Sequence, residues 1–107
     1  MMIKRKLLSS LGLAMQAGKL ITGDENVLTA IRAGTALLVL IADDASEKTQ
    51  KKFQDKCSHY AVPIWACCNR NDLGQSIGKP ERVVLAVTDS GFAQMIAKCQ
   101  VKPAEVE

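Results

Sequence analysis

Four cysteines, a single histidine and an adjacent pair of aspartates are the residues of this 107-residue chain whose types could do chemistry on their own. The cysteines stand at 57, 67, 68 and 99, and none forms a Cys-x-x-Cys pair, so zinc-ribbon and thioredoxin-type spacings are both missing. Cys57-x-His59 followed by Cys67-Cys68 can be drawn as a metal cluster. Neighbouring residues of a strand, however, point to opposite faces, and reduced, buried thiols are the stronger reading. His59 falls near the end of a lysine-rich helix, where an imidazole ordinarily complements the dipole or the surface. No Gly-x-Ser-x-Gly, P-loop or Gly-x-Gly-x-x-Gly motif occurs, and no base is placed to activate a serine. Asp43-Asp44 follows an apolar strand, a position where α/β proteins build sites. The pair has two readings: Mg²⁺ ligands of a phospho-switch, or carboxylates that favour a helix N-terminus, of which the second is the stronger. The chain is expected to hold no catalytic residue, no metal and no cofactor.

Two other segments carry polar groups in patterns suited to recognition. In Lys19 to Arg32 (KLITGDENVLTAIR) a glycine precedes a helix start. Glycine lets a ligand approach the backbone closely, and the free N–H groups of a helix N-terminus point outward. After Gly23 and Asp24, Glu25 and Asn26 stand side by side on the first turn, and carboxylates and amides match the donors and acceptors of base edges. Lys19 and Arg32 flank the segment as phosphate contacts. The same letters fit a plainer role, a capping box with Thr22 as N-cap and Glu25 three residues later, and spacing alone favours it. The second segment is Lys79-Pro80-Glu81-Arg82, a short turn with a basic residue at each end. It suits packing against an unstacked nucleotide, as RNA recognition often requires, and it equally suits a solvent-exposed turn.

These segments must be held by elements the hydrophobic pattern lays out in alternation. Ile3, Leu7, Leu8, Leu11, Ala14 and Met15 form a helical stripe, stopped at Gly18, and a brief strand follows at Lys19-Leu20-Ile21. Val27, Leu28 and Ile31 give a second helix its buried face, with Gly34 as the stop. Leu37 to Ala42 has no polar residue and reads as a central strand covered on both faces. Ser46 caps a third helix, with Thr49, Phe53, Cys57 and Tyr60 inward and Lys48, Lys51, Lys52 and Lys56 outward. Val62 to Cys68 is an edge strand entered through Pro63. Asn69 and Asp72 open a short helix ended by Gly78, Val83 to Val87 is another buried strand, and Asp89 caps a last helix that buries Phe92, Ile96 and Cys99. The expected fold is α/β, a single-domain three-layer α/β/α sandwich with a mixed sheet of about four strands. The domain spans residues 1–99, and 100–107 is a flexible tail.

Composition adds little to these segments. A net charge of +3 and a pI near 8.7 suit a polyanionic partner without demanding one. No run approaches the ~20 apolar residues of a membrane span, and Lys4-Arg5-Lys6 is not followed by a signal-peptide core. A cytoplasmic location without membrane attachment is expected.

In order, the strings LGLAMQAGKLITGDENVLTAIRAGTALLVLIADDAS, KTQKKFQDKCSHYAVPIW, NDLGQSIGK and RVVLAVTDSGFA resemble the kink-turn-binding family of archaeal and eukaryotic ribosomal proteins. The resemblance covers residues 3 to 98 and is greatest to the family's small bacterial branch, the YlxQ-like proteins. It implies an α/β/α sandwich that binds a sharply bent RNA internal loop with tandem sheared G·A pairs. In the family the first turn of the second helix reads those guanines. Carried over, its glycine is Gly23, its Asn-Glu pair falls on Glu25-Asn26 in reversed order, and its lysine position falls on Thr29. A position after the central strand that some members use is Ser46, and a basic position is Arg70. The loop that covers an extruded base becomes Lys79 to Val83, with Lys79, Pro80 and Arg82 in place of more apolar residues. Structured RNA, ribosomal RNA included, and ribosomal or ribosome-maturation proteins are the implied partners. A bidentate base contact is worth ~1–3 kcal/mol, so the changes at Glu25-Asn26 and Thr29 imply moderate, salt-sensitive binding with altered preference. They also motivate a second reading, an adaptor for protein partners that kept the fold and lost most RNA affinity.

Overall fold

The computed structural model describes the backbone of residues 2–106 and the side chains of residues 5–99. The elements alternate as α1 (Met2–Gln16), β1 (Leu20–Thr22), α2 (Asp24–Ala33), β2 (Leu38–Ile41), α3 (Glu47–His59), β3 (Ile64–Ala66), α4 (Arg70–Ser76), β4 (Val84–Val87) and α5 (Ser90–Val106). The expected tail at 100–107 overlaps the end of α5, whose backbone is described to Val106 and whose side chains are described to Cys99. The four strands form one sheet in the order β1-β4-β2-β3. β4 runs antiparallel to both β1 and β2, whereas β2 and β3 are parallel, joined by the crossover helix α3.

The inner strands explain the three layers. β2 and β4 are buried along their whole length, and alternate residues feed opposite cores. Leu38, Leu40, Leu85 and Val87 pack with Leu7, Leu11, Leu73 and Ile96 of α1, α4 and α5. Val39, Ile41, Val84 and Ala86 face the other way, onto Val27, Ile31, Phe53 and Cys57 of α2 and α3. An unbroken apolar run is therefore what a strand covered on both faces requires.

Register gathers most of the loops expected to contact RNA at one end. Thr22 of β1 pairs with Leu85, Ile41 of β2 with Val84, and Ala66 of β3 with Ile41. The carboxyl ends of β1, β2 and β3 and the amino end of β4 thus share one edge of the sandwich. The segments that leave or enter there contain Gly23, Ser46, Arg70 and Lys79–Val83, while Lys19 lies before the opposite end of β1.

Several expectations are corrected by this geometry. Thr22 is not the cap of α2: it is committed to the β1 ladder, the N-cap is Gly23, and no side chain caps the helix. Tyr60 does not face inward; it ends α3 with 41% of its surface exposed, because the chain reverses at Ala61, with φ of 58°, before the core contact of Val62. The edge strand is shorter than Val62 to Cys68. Since it stops at Ala66, Cys67 and Cys68 escape the alternation of a strand, and their sulfurs lie 3.0 Å apart. The hydrogen bond to Cys68 and then burial push the Cys67 thiol well up from its ordinary value. Cys57 is fully buried, and that burial alone raises its thiol to about 11. Among the described side chains of α5 only Ile96 is fully buried, with Phe92 and Cys99 packed half-buried beside it.

Candidate nucleic-acid interface

The first turn of α2 owes its exposure to Gly23. At φ 97° and ψ 137° it occupies backbone space that side chains avoid, which turns the chain from strand to helix in one step. Its carbonyl accepts the first helical hydrogen bond, from the Val27 N–H at 2.9 Å. Asp24, Glu25 and Asn26 are all exposed, and the Asn26 amide reaches back to donate to the Thr22 carbonyl at 3.2 Å. That bond fixes the amide group over the turn. Thr29 is exposed one turn later, its hydroxyl donating to the Glu25 carbonyl at 3.0 Å.

Opposite this turn stands the segment before β4, tied down by α4. The Lys79 N–H donates to the Gly74 carbonyl at 2.9 Å, and the Arg82 N–H to the Arg70 carbonyl at 3.1 Å. Gly74 permits the approach. A Cβ there would run into the Pro80 carbonyl and lie 2.8 Å from the Glu81 Cα, so no larger residue fits without moving the loop. Sequence reading passed over Gly74, since a lone glycine in a helix signals neither contact nor site.

Arg70 connects three loops at this end. Its backbone N–H donates to the Asp44 carboxylate at 3.0 Å, its guanidinium donates to the Asp44 carbonyl at 2.6 Å, and it lies 3.8 Å from the Glu81 carboxylate. Asp44 is thereby engaged by a cation, which weakens the Mg²⁺ reading of Asp43-Asp44. Among the described residues no group of three or more His, Cys, Asp or Glu could hold a metal ion. Ser46 caps α3 at the same edge, its hydroxyl accepting from the Thr49 N–H at 3.1 Å.

Between the two segments lies a groove of about 420 Å³, lined by Thr22, Gly23, Asp24 and Asn26 on one side and Glu81, Arg82, Val83 and Val84 on the other. Its walls offer a hydroxyl, an amide, two carboxylates, a guanidinium and apolar methyls. That mixture differs from a phosphate cradle, which would be dominated by cations, and matches the donor, acceptor and flat apolar surfaces of bases. Glu25 is exposed next to the groove, and Lys79 and Pro80 are exposed on the outer side of the loop. Lys19 and Arg32 are not brought there. Arg32 sits in the last turn of α2, about 12 Å along the helix from Asp24, and the Lys19 carbonyl bonds Thr88 at the far end of the sheet.

Residues 5–97 match the model of the Ribosomal protein L7Ae/L30e/S12e/Gadd45 family. The chain is 50% identical over 86 residues to an RNA-binding protein YlxQ of Bacillus subtilis, covering 80% of this chain and 86% of that one. It is 46% identical over 91 residues to the Enterococcus faecium protein of the same name, covering 85% and 87%. A solved structure of a Bacillus halodurans protein of unknown function superposes with a TM-score of 0.85 at 46% identity, covering 88% of this chain and 95% of that one. The family match spans α1 to α5 and includes every residue of the groove, and this chain belongs to the Ribosomal protein L7Ae/L30e/S12e/Gadd45 family.

Proposed function

We propose that this protein binds structured RNA without catalysis, gripping a sharply bent internal loop of the kink-turn type between the first turn of α2 and the segment before β4. The observation that carries the reading is the groove: it sets Gly23 and Asn26 across from Arg82 and Val83, with base-sized apolar and polar surfaces facing one space. Glu25 and Asn26 take the sheared purine edges, Gly23 lets the RNA backbone come close, and Arg82 with Val83 packs against an extruded base. Arg70 holds the loop from behind, and Ser46 adds a polar contact at the same edge. The curated relatives named RNA-binding proteins support the ligand class, and a ribosomal or other structured cellular RNA fits it.

Affinity tests the proposal. A kink-turn hairpin is expected to bind more tightly than a duplex of equal length in which the sheared pairs are replaced by Watson–Crick pairs, at each of several salt concentrations. Equal affinity for both would reduce the interaction to backbone electrostatics and sink the kink-turn reading.

A further inference from the structure

The outer face of α3 carries a second arrangement that the groove does not use. Lys48, Lys52 and Lys56 follow one another at four-residue spacing, with Lys51 beside them, so four ammonium groups occupy one side of the helix. None of them makes an ion pair among the described residues. The row starts near Ser46, at the groove's end of the sandwich, its lysines span about 12 Å, and the helix continues about 6 Å further, to the opposite end. There it meets Tyr60, exposed, with its ring edge-on to His59 at a centroid distance of 4.8 Å and an angle of 82°. An edge-on pair leaves at least one of the two rings unstacked by the other, and both residues are exposed. Lys52, Asp55, Lys56, His59 and Tyr60 line a shallow depression of about 500 Å³.

Two features show that the aromatic pair is held in place by the fold. Ala61 is the one described non-glycine residue with positive φ, a conformation that side-chain-bearing residues adopt only where the surrounding fold imposes it. It directs the Val62 N–H to the Cys57 carbonyl at 2.8 Å and returns the chain to the core, leaving Tyr60 outside. In addition, the buried anchors Phe53 and Cys57 fix the rotation of α3, which leaves Lys52 and Lys56 on the side of the tyrosine.

We propose that the C-terminal end of α3 is a second RNA contact, where an unpaired nucleotide stacks on Tyr60 and its flanking phosphates are held by Lys52 and Lys56. The inference rests on the RNA-binding reading and extends it to a single-stranded segment leaving the groove along the lysine row. Aromatic faces interleaved with cations are the combination that binds unpaired strands with little sequence preference. An acidic peptide would use the lysines but has no need of a stacking face. Asp55 on the rim keeps the site from being a bare cation patch.

The full chain has one tyrosine and one histidine, so their ring signals are unambiguous by NMR. An unstructured, adenine-rich RNA of eight nucleotides should shift the Tyr60 and His59 ring protons. Tyr60→Ala should weaken that binding about 5- to 150-fold, while Tyr60→Phe preserves it. Converting Lys52 and Lys56 to glutamine should lower the salt dependence by about 1.4 in the log–log slope. Stationary ring protons at saturating RNA, or Tyr60→Ala binding as well as wild type, would overturn the contact. A glutamate-rich peptide that moves the same signals with equal affinity would overturn it in favour of an acidic protein partner. A blunt kink-turn hairpin separates the two proposals. If it moves the Gly23–Asn26 amides while the octanucleotide leaves Tyr60 still, the groove stands and the α3 contact falls. The reverse pattern overturns the groove alone.

Discussion

Gly23 and Thr29 are the two residues at which the proposed interface can be tested most finely. Because Gly23 holds φ at 97°, Gly23→Ala should destabilise the fold by roughly 1–3 kcal/mol, read as a lower urea midpoint at unchanged m-value. Thr29 bonds the helix backbone and offers RNA no charge. Thr29→Lys should therefore tighten kink-turn binding several-fold and steepen the salt dependence by about one unit of log–log slope, since one more phosphate is neutralised. An unchanged slope would show that this position does not face the RNA. Cys57 makes a third prediction at this scale. Its thiol ionises near 9 in the unfolded chain and only at about 11 when folded, so the unfolded state loses its proton first. Stability should fall as pH rises from about 9 to about 11, and Cys57→Ala should remove that part of the alkaline loss in a pH series of melting temperatures.

Among the elements, α4 has the least obvious role, because it is only seven residues long yet positions half of the groove. Gly74→Ala should push the Pro80–Glu81 backbone away, costing about 1–3 kcal/mol and lowering kink-turn affinity more than affinity for a plain duplex. Binding that stays unchanged while stability drops would separate the helix from the site. The sequence made most elements legible, since Ser46, Asn69 and Asp89 each cap the helix that their spacing indicates. It misled at Thr22, where a capping-box pattern lost to strand pairing, and at Tyr60, where helical periodicity continued past the point at which Ala61 reverses the chain. In both cases the deciding contact was long-range or conformational and left no mark in local spacing. Cys67-Cys68 shows the same limit, because a strand that ends two residues earlier than expected brings both sulfurs together.

At the scale of the whole molecule, the mixed sheet assembles the groove from distant stretches of chain. Leu38 to Ile41 and Val84 to Val87 were readable as doubly covered strands because each lacks any polar residue. Their order and direction were not readable, and it is that register that sets Gly23 opposite Arg82, about 60 positions later in the chain. The resemblance to the ribosomal-protein family, which the match across residues 5–97 bears out, implies that those two segments act together. It could not indicate that Lys19 and Arg32 lie away from the groove, nor that α3 ends in an exposed aromatic pair. Whether one groove between α2 and the segment before β4 receives bent RNA can be read from amide mapping of the full chain during titration with a kink-turn hairpin. The largest shifts are expected at Gly23–Asn26 and at Glu81–Val83, saturating together with one affinity; shifts spread over lysine-bearing surfaces, with those two segments silent, would rule the groove out.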